Sequence, residues 1–159
     1  MLSIKKNIPS ILKILLIIGF GYFFWLMLKI TLEYVPLDPN VSFLMIKQTE
    51  VQDRPEYLWF FYTHVYTSIF VLLAGFLAIL RKDFRLKNFH INAGKIYIFL
   101  ILLFAAPSGI YMGIFANGGF LSKISFVILG SLWWFSTFKA YQLARKKKFK
   151  EQFLSSPYN

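Results

Sequence analysis

Two side chains in this sequence are suited to ligation or proton transfer near neutral pH, His64 and His90. A neutral imidazole binds metal or haem iron and shuttles protons. His64 lies six residues into Leu58–Leu80, a run of 23 residues free of Lys, Arg, Asp and Glu. His90 ends the segment Arg81–His90, in which four of ten residues are basic. A second uncharged run, Ile96–Ile114, follows with 19 residues. The pattern predicts a membrane hairpin, since about 20 apolar residues at ~1.5 Å each cross a ~30 Å hydrocarbon layer. From His64 to Leu80 is 16 residues, roughly 24 Å of helix. The two histidines therefore cannot share a metal or a single haem within one subunit.

Counting back across the hairpin sets His64 level with Tyr111 and Met112. Imidazole plus Met is an axial pair for haem iron, and a Tyr hydroxyl is an equally good hydrogen-bond partner. Two readings of His64 follow. It ligates haem b together with Met112, Tyr111 or a histidine of another subunit, or it bonds Tyr or backbone and helps the spans pack. An ionisable residue within a span is a functional candidate by default. His90, among Arg81, Lys82, Arg85 and Lys87, reads as an interfacial residue in a basic turn that touches anionic headgroups.

Other chemistry is sparse. No two acids share a span, and no H-E-x-x-H, phosphate-binding glycine loop or nucleophile elbow occurs. No catalytic residue and no metal site is assigned. Asn117-Gly118-Gly119 is a turn by composition, and Trp133-Trp134 reads as packing within a span. Cysteine is absent, which excludes disulfides and thiolate ligands.

Of the 159 residues, 57% are hydrophobic and 16% charged, too little charge to cover a soluble domain of this size. The mean hydropathy is +0.56. Although the net charge is +11, the basic residues sit mostly at the ends of apolar runs, so nucleic acid is not an expected partner. The fold class expected is all-α: an integral membrane protein with four transmembrane helices in an up-down bundle, forming one domain. The spans run roughly over 11–32, 58–80, 96–114 and 124–144. The first is read as a retained span because it is longer than a signal-peptide core and has no small-x-small cleavage site.

The loop 33–57 holds five of the seven acids, broken by Pro36, Pro39 and Pro55, with Val41–Ile46 apolar enough for a short interfacial helix. Its acids read as solvated surface. Tyr57, Trp59, Tyr62 and Tyr66 form an aromatic belt where the second span begins. In the third span Ala105, Gly109 and Gly113 share one face and permit close helix contact, and Pro107 is expected to kink it. Lys and Arg concentrate in the N-terminus, the 81–95 turn and the tail. That bias predicts a cytoplasmic-membrane protein with both termini inside and loop 33–57 outside.

An ordered set of residues resembles a known family. Phe61-Tyr62-Thr63-His64 opens a span, Gly75 stands late in it, and a basic turn ends in His90. Gly94-Lys95-Ile96-Tyr97, Pro107-Ser108-Gly109 and Gly118-Gly119-Phe120 follow, then Trp134 through Lys139-Ala140-Tyr141 before a basic tail. From roughly Phe43 to Lys150 the chain is similar to the predicted bacterial multi-pass membrane proteins of the domain of unknown function 2306 family. That family has no assigned activity. The resemblance implies that His64, His90, Gly94, Tyr97, Gly118 and Gly119 are the positions of interest. Members typically continue with a third histidine, in a His-x-x-Trp-Met-like motif, and further spans. Here Lys150-Glu151-Gln152-Phe153 runs on to Asn159, so the chain is expected to be C-terminally shortened.

The function expected is that of a helix-bundle module of unassigned activity, acting through the lipid bilayer, a membrane-protein partner or a second copy. A b-type haem electron-transfer protein using His64 is the first alternative. A small proton-coupled transporter or sensor, with His64 titrating, is the second.

Overall fold

A computed structural model describes residues 10–35, 37–79 and 87–154, all in helices and short connections. In chain order these are α1 (Ser10–Leu32), a 3-10 helix (Ser42–Lys47), α2 (Gln48–Asp53), α3 (Pro55–Ile79), α4 (Lys87–Leu100), a π-helical turn (Ile101–Ala105), α5 (Ala106–Ile114) and α6 (Gly119–Leu154). Helix α4, the π turn and α5 form one continuous rod. Among the described residues four apolar stretches are long enough to cross a membrane: Ile14–Leu32, Pro55–Ala78, His90–Ile114 and Gly119–Lys146. The protein is an all-α membrane protein. Arg81, Lys82 and Arg85 of the basic turn lie outside the described residues.

Helix α1 is apolar on every side and leaves Ile11, Leu15, Phe23 and Trp25 exposed, as a helix solvated by lipid does. It packs on α3 alone among the described elements, through face-to-face stacking of Phe20 on Phe76 at 3.5 Å. Helices α3 and α4 meet as an antiparallel pair in which Gly75 makes room for the Tyr97 ring. A Cβ at Gly75 would lie 2.9 Å from that ring. Farther along, Gly113 abuts Phe126, and Gly130 abuts Ile110, which brings α5 and α6 together backbone to backbone. The α5–α6 reversal is built on Gly118 and Gly119, at φ +98° and +81°, where a Cβ would be strained. At 36 residues α6 is ~54 Å long, so its end runs beyond a ~30 Å layer.

The expected kink at Pro107 takes a specific form. Pro107 has no N–H, and its ring crowds the carbonyl one turn back. The helix widens just before it, and the N–H of Ala106 reaches Ile101 O in the π register. The Leu102 carbonyl then has no helical donor: Ala106 is committed to Ile101, and the next residue is Pro107. The indole of Trp134, on α6, supplies the missing N–H at 3.1 Å. Around this break Val71, Ile101, Ala105 and Ala106 form a buried core, with Trp133 and Trp134 against it.

The Trp134 bond should behave as a replacement for the one proline removes. Trp134→Phe is expected to cost about 1 kcal/mol in detergent or bilayer unfolding, within the range for membrane hydrogen bonds. In a Pro107→Ala background, where a backbone N–H is restored, the same substitution should cost less. Equal costs in the two backgrounds would separate Trp134 from the helix break.

Candidate ligand pocket at His64

His64 lies on α3 opposite the π turn. Its Nδ1 is 2.9 Å from Ala105 O and 3.4 Å from Ser108 Oγ. A carbonyl only accepts, so Nδ1 carries the proton and donates to Ala105. The Ser108 hydroxyl is occupied with Phe104 O at 2.5 Å and Ala105 O at 3.2 Å. Gly109 is required beside this bond, because a Cβ there would stand 2.8 Å from His64 Cε1. With Nδ1–H committed, the neutral ring has one free function, the lone pair on Nε2. No bond to Nε2 occurs among the described residues.

The ring borders two cavities. One, of about 380 Å³, runs from His64 to the loop, with Tyr57, Met112, Asn117 and Phe126 in its wall. The other, of about 430 Å³, continues along α5 and α6 past Leu129 to Trp133. His64, Gly109 and Phe126 line both. Met112 therefore shares a cavity with His64, whereas Tyr111 turns away: its hydroxyl donates to Glu56 at 3.0 Å and its ring stacks on Phe60 at 4.0 Å. Facing His64 directly are Ala105, Ser108 and Gly109, deeper than the count across the hairpin gives. The reason is that the helix begins at Lys87 and not at Ile96, so the level shifts back along it.

His90 makes the same kind of bond at the other end of the hairpin, donating from Nδ1 to Ala78 O at 2.7 Å. Ala78 and His64 are 14 residues apart on α3, ~21 Å of rise, so the two imidazoles serve separate places. Gly94 and Tyr97 follow His90 on α4. Tyr97 packs against Gly75, and Gly94 lines a cavity with His90. No group of three His, Cys, Asp or Glu side chains suited to a metal ion occurs among the described residues.

Sequence reasoning missed the roof of the pocket. Residues 33–35 and 37–57 fold down onto the span ends around a core of Tyr34, Leu44, Tyr57 and Phe61. The expected interfacial helix is the 3-10 helix Ser42–Lys47, with Met45 and Ile46 exposed and Leu44 fully buried. Lys47 is only 1% exposed. Its ammonium bonds Glu50 Oε1 at 2.8 Å and the carbonyl of Phe115, the residue that caps α5. A cation on the last carbonyls of a helix meets the negative end of its dipole. Arg54 stacks over the Phe115 ring at 4.9 Å. The belt tyrosines are likewise structural: Tyr57 is buried, and Tyr66 donates to Tyr34 O at 2.6 Å. Nor are the loop acids merely solvated, since Glu33 accepts from Ser42 and Glu50 pairs with Lys47. The available signal was a lone lysine in an acidic, proline-broken segment.

Burial opposes ionisation of Glu50, but the Lys47 hydrogen bond and charge outweigh it and hold the carboxyl below its usual 4.5. A depressed carboxyl contributes stability above the unfolded pKa, and that stability is lost as pH falls through the folded value. Acidification below about pH 4.5 should therefore loosen the loop and lower the thermal midpoint. Glu50→Gln should lower stability at pH 7 by about 2 kcal/mol, less than a fully buried pair costs, and flatten the acid limb. An unchanged acid limb in that variant would show that Glu50 does not set the acid sensitivity of the loop.

No curated protein and no solved structure matches this chain. The family described as predicted membrane protein (DUF2306) matches residues 61–156, which take in both histidines, the π turn, the Gly118–Gly119 reversal and the whole of α6. The chain belongs to the DUF2306 family of predicted membrane proteins.

Proposed function

We propose that this protein is a membrane helix-bundle module that holds a lipid-soluble molecule bearing a hydroxyl group, hydrogen-bonded to Nε2 of His64. The observation that carries this reading is the bond from His64 Nδ1 to Ala105 O at the wall of a largely apolar cavity. That bond fixes the tautomer, so the ring accepts at Nε2 and the ligand must bring a donor or a metal. A cavity of about 380 Å³ suits a small ring compound, and few polar groups face it. Phenols and quinols combine an apolar ring with an O–H donor.

A chemically matched pair of probes tests this. Purified protein in detergent, kept anaerobic, should bind durohydroquinone roughly tenfold more tightly than duroquinone, about one hydrogen bond's worth. His64→Ala should erase that difference, and Gly109→Val should abolish binding by displacing the ring. Equal affinity for the two probes, or a preference that survives His64→Ala, would contradict the assignment.

A second reading, a b-type haem site for electron transfer, is supported by the same bond. A metal-ligating imidazole characteristically donates its other N–H to a carbonyl, and Met112 lines the cavity with His64. Protein expressed with haem available would then show a Soret band with reduced α and β bands. A featureless spectrum from folded protein would end this reading.

We place the protein in the cell membrane with both termini on the cytoplasmic side. The support is the excess of Lys and Arg in the N-terminus, the 81–95 turn and the tail over loops 33–57 and 115–123. A reporter active only in the cytoplasm should work when fused after Asn159 and fail when inserted in loop 33–57. The opposite pattern would invert the topology.

A further inference from the structure

A cavity of about 400 Å³ opens between α4 and α6 at the end of the molecule farthest from the loop 33–57. Its polar wall is His90, Lys95, Tyr141 and Arg145, and its apolar floor includes Ile91 and Ile98. Lys95 and Arg145 approach from different helices, and neither has an acidic partner within ion-pair distance among the described residues. The Arg145 guanidinium lies 5.7 Å from the centre of the Tyr141 ring, which leaves its N–H edge available. His90 is anchored by its bond to Ala78 O. Its ring is therefore a fixed wall of the cavity.

The depth of this cavity identifies what reaches it. The apolar stretch of the third span starts at His90, and that of the fourth ends at Lys146. The cavity thus sits where hydrocarbon gives way to headgroups. Lys95, Tyr141 and Arg145 line a space there of about 400 Å³, room for a phosphate and its ester arms. Below it, Ile91 and Ile98 offer an apolar surface of the kind an acyl chain covers. Basic pockets between spans at this depth hold acidic headgroups, in which charge and hydrogen bonding act together. Nothing in the Lys47–Glu50 loop or the His64 pocket takes part, so the site is independent of the function proposed above.

We infer that the α4–α6 cavity binds the phosphate of an anionic phospholipid, with Lys95 and Arg145 as the charged contacts and Tyr141 as a hydroxyl donor. The shared chemistry is a phosphate anion. The apolar floor selects a lipid over the free ion.

Full-length protein in a neutral detergent, titrated with phosphatidylglycerol or phosphatidylcholine and read by native mass spectrometry, tests the inference. Phosphatidylglycerol should be retained in preference to phosphatidylcholine. The double variant Lys95→Ala/Arg145→Ala should bind phosphatidylglycerol roughly thirtyfold less, about fivefold for each cation lost near the headgroups. Lys123→Ala/Lys139→Ala removes the same charge elsewhere and should change little. If the alanine pair fails to fold, Lys95→Gln/Arg145→Gln keeps the stems and takes its place. Equal retention of the two lipids, or undiminished binding in the Lys95/Arg145 variant, overturns the site. An equal loss in the control variant overturns it in favour of a general surface field. Displacement of the lipid by millimolar inorganic phosphate would show a free-phosphate site and overturn the lipid assignment.

Discussion

A backbone polar group inside a hydrocarbon layer must find a partner, since each one left unpaired costs several kcal/mol. Pro107 places such a group in the third span, and much of this protein is arranged around that fact. The widened turn Ile101–Ala105 accommodates the proline, and Trp134 reaches across from α6 to bond Leu102 O. Three residues on, Ala105 O receives both the imidazole of His64 and the hydroxyl of Ser108. One irregular turn therefore tethers α3 on one side and α6 on the other.

The two histidines illustrate one physical solution used twice. Each bonds through Nδ1 to a carbonyl of the other helix in the α3–α4/α5 hairpin, His64 to Ala105 and His90 to Ala78. Each bond fixes a ring, and among the described residues neither Nε2 has a hydrogen-bond partner. The surroundings then set the role. At His64 the walls are largely apolar, with Lys47 and Asn117 among the few polar groups, and the ring borders the cavity beneath the loop. At His90 the neighbours are Lys95, Tyr141 and Arg145, at headgroup depth.

Much of the fold was legible because its signals are compositional. The four apolar runs, the glycine and alanine face of the third span and the reversal at Gly118–Gly119 each follow from residue type and spacing. What escaped was relational. Nothing local to Lys47 says that its ammonium will be buried on Phe115 O, 68 positions away. Likewise, a count of residues from an assumed helix start could not find Ala105 as the partner of His64, because Lys87 begins the helix while still inside a basic segment. The proline announced an irregularity, but whether it would be a kink or a π turn depended on Trp134 lying within reach.

The proposed function rests on the His64 ring being held as the Nδ1–H tautomer by Ala105, with Nε2 left for a ligand. The most direct measurement is ¹⁵N NMR of the histidine-labelled protein in detergent or bilayers, with His90→Ala used to assign the His64 signals. Nδ1 should be the protonated nitrogen and Nε2 should not, and a bound hydroxyl compound should shift Nε2 alone. A signal from the Nε2–H tautomer would contradict it, because the Ala105 carbonyl could not then accept from Nδ1 and the pocket would face a donor in place of an acceptor.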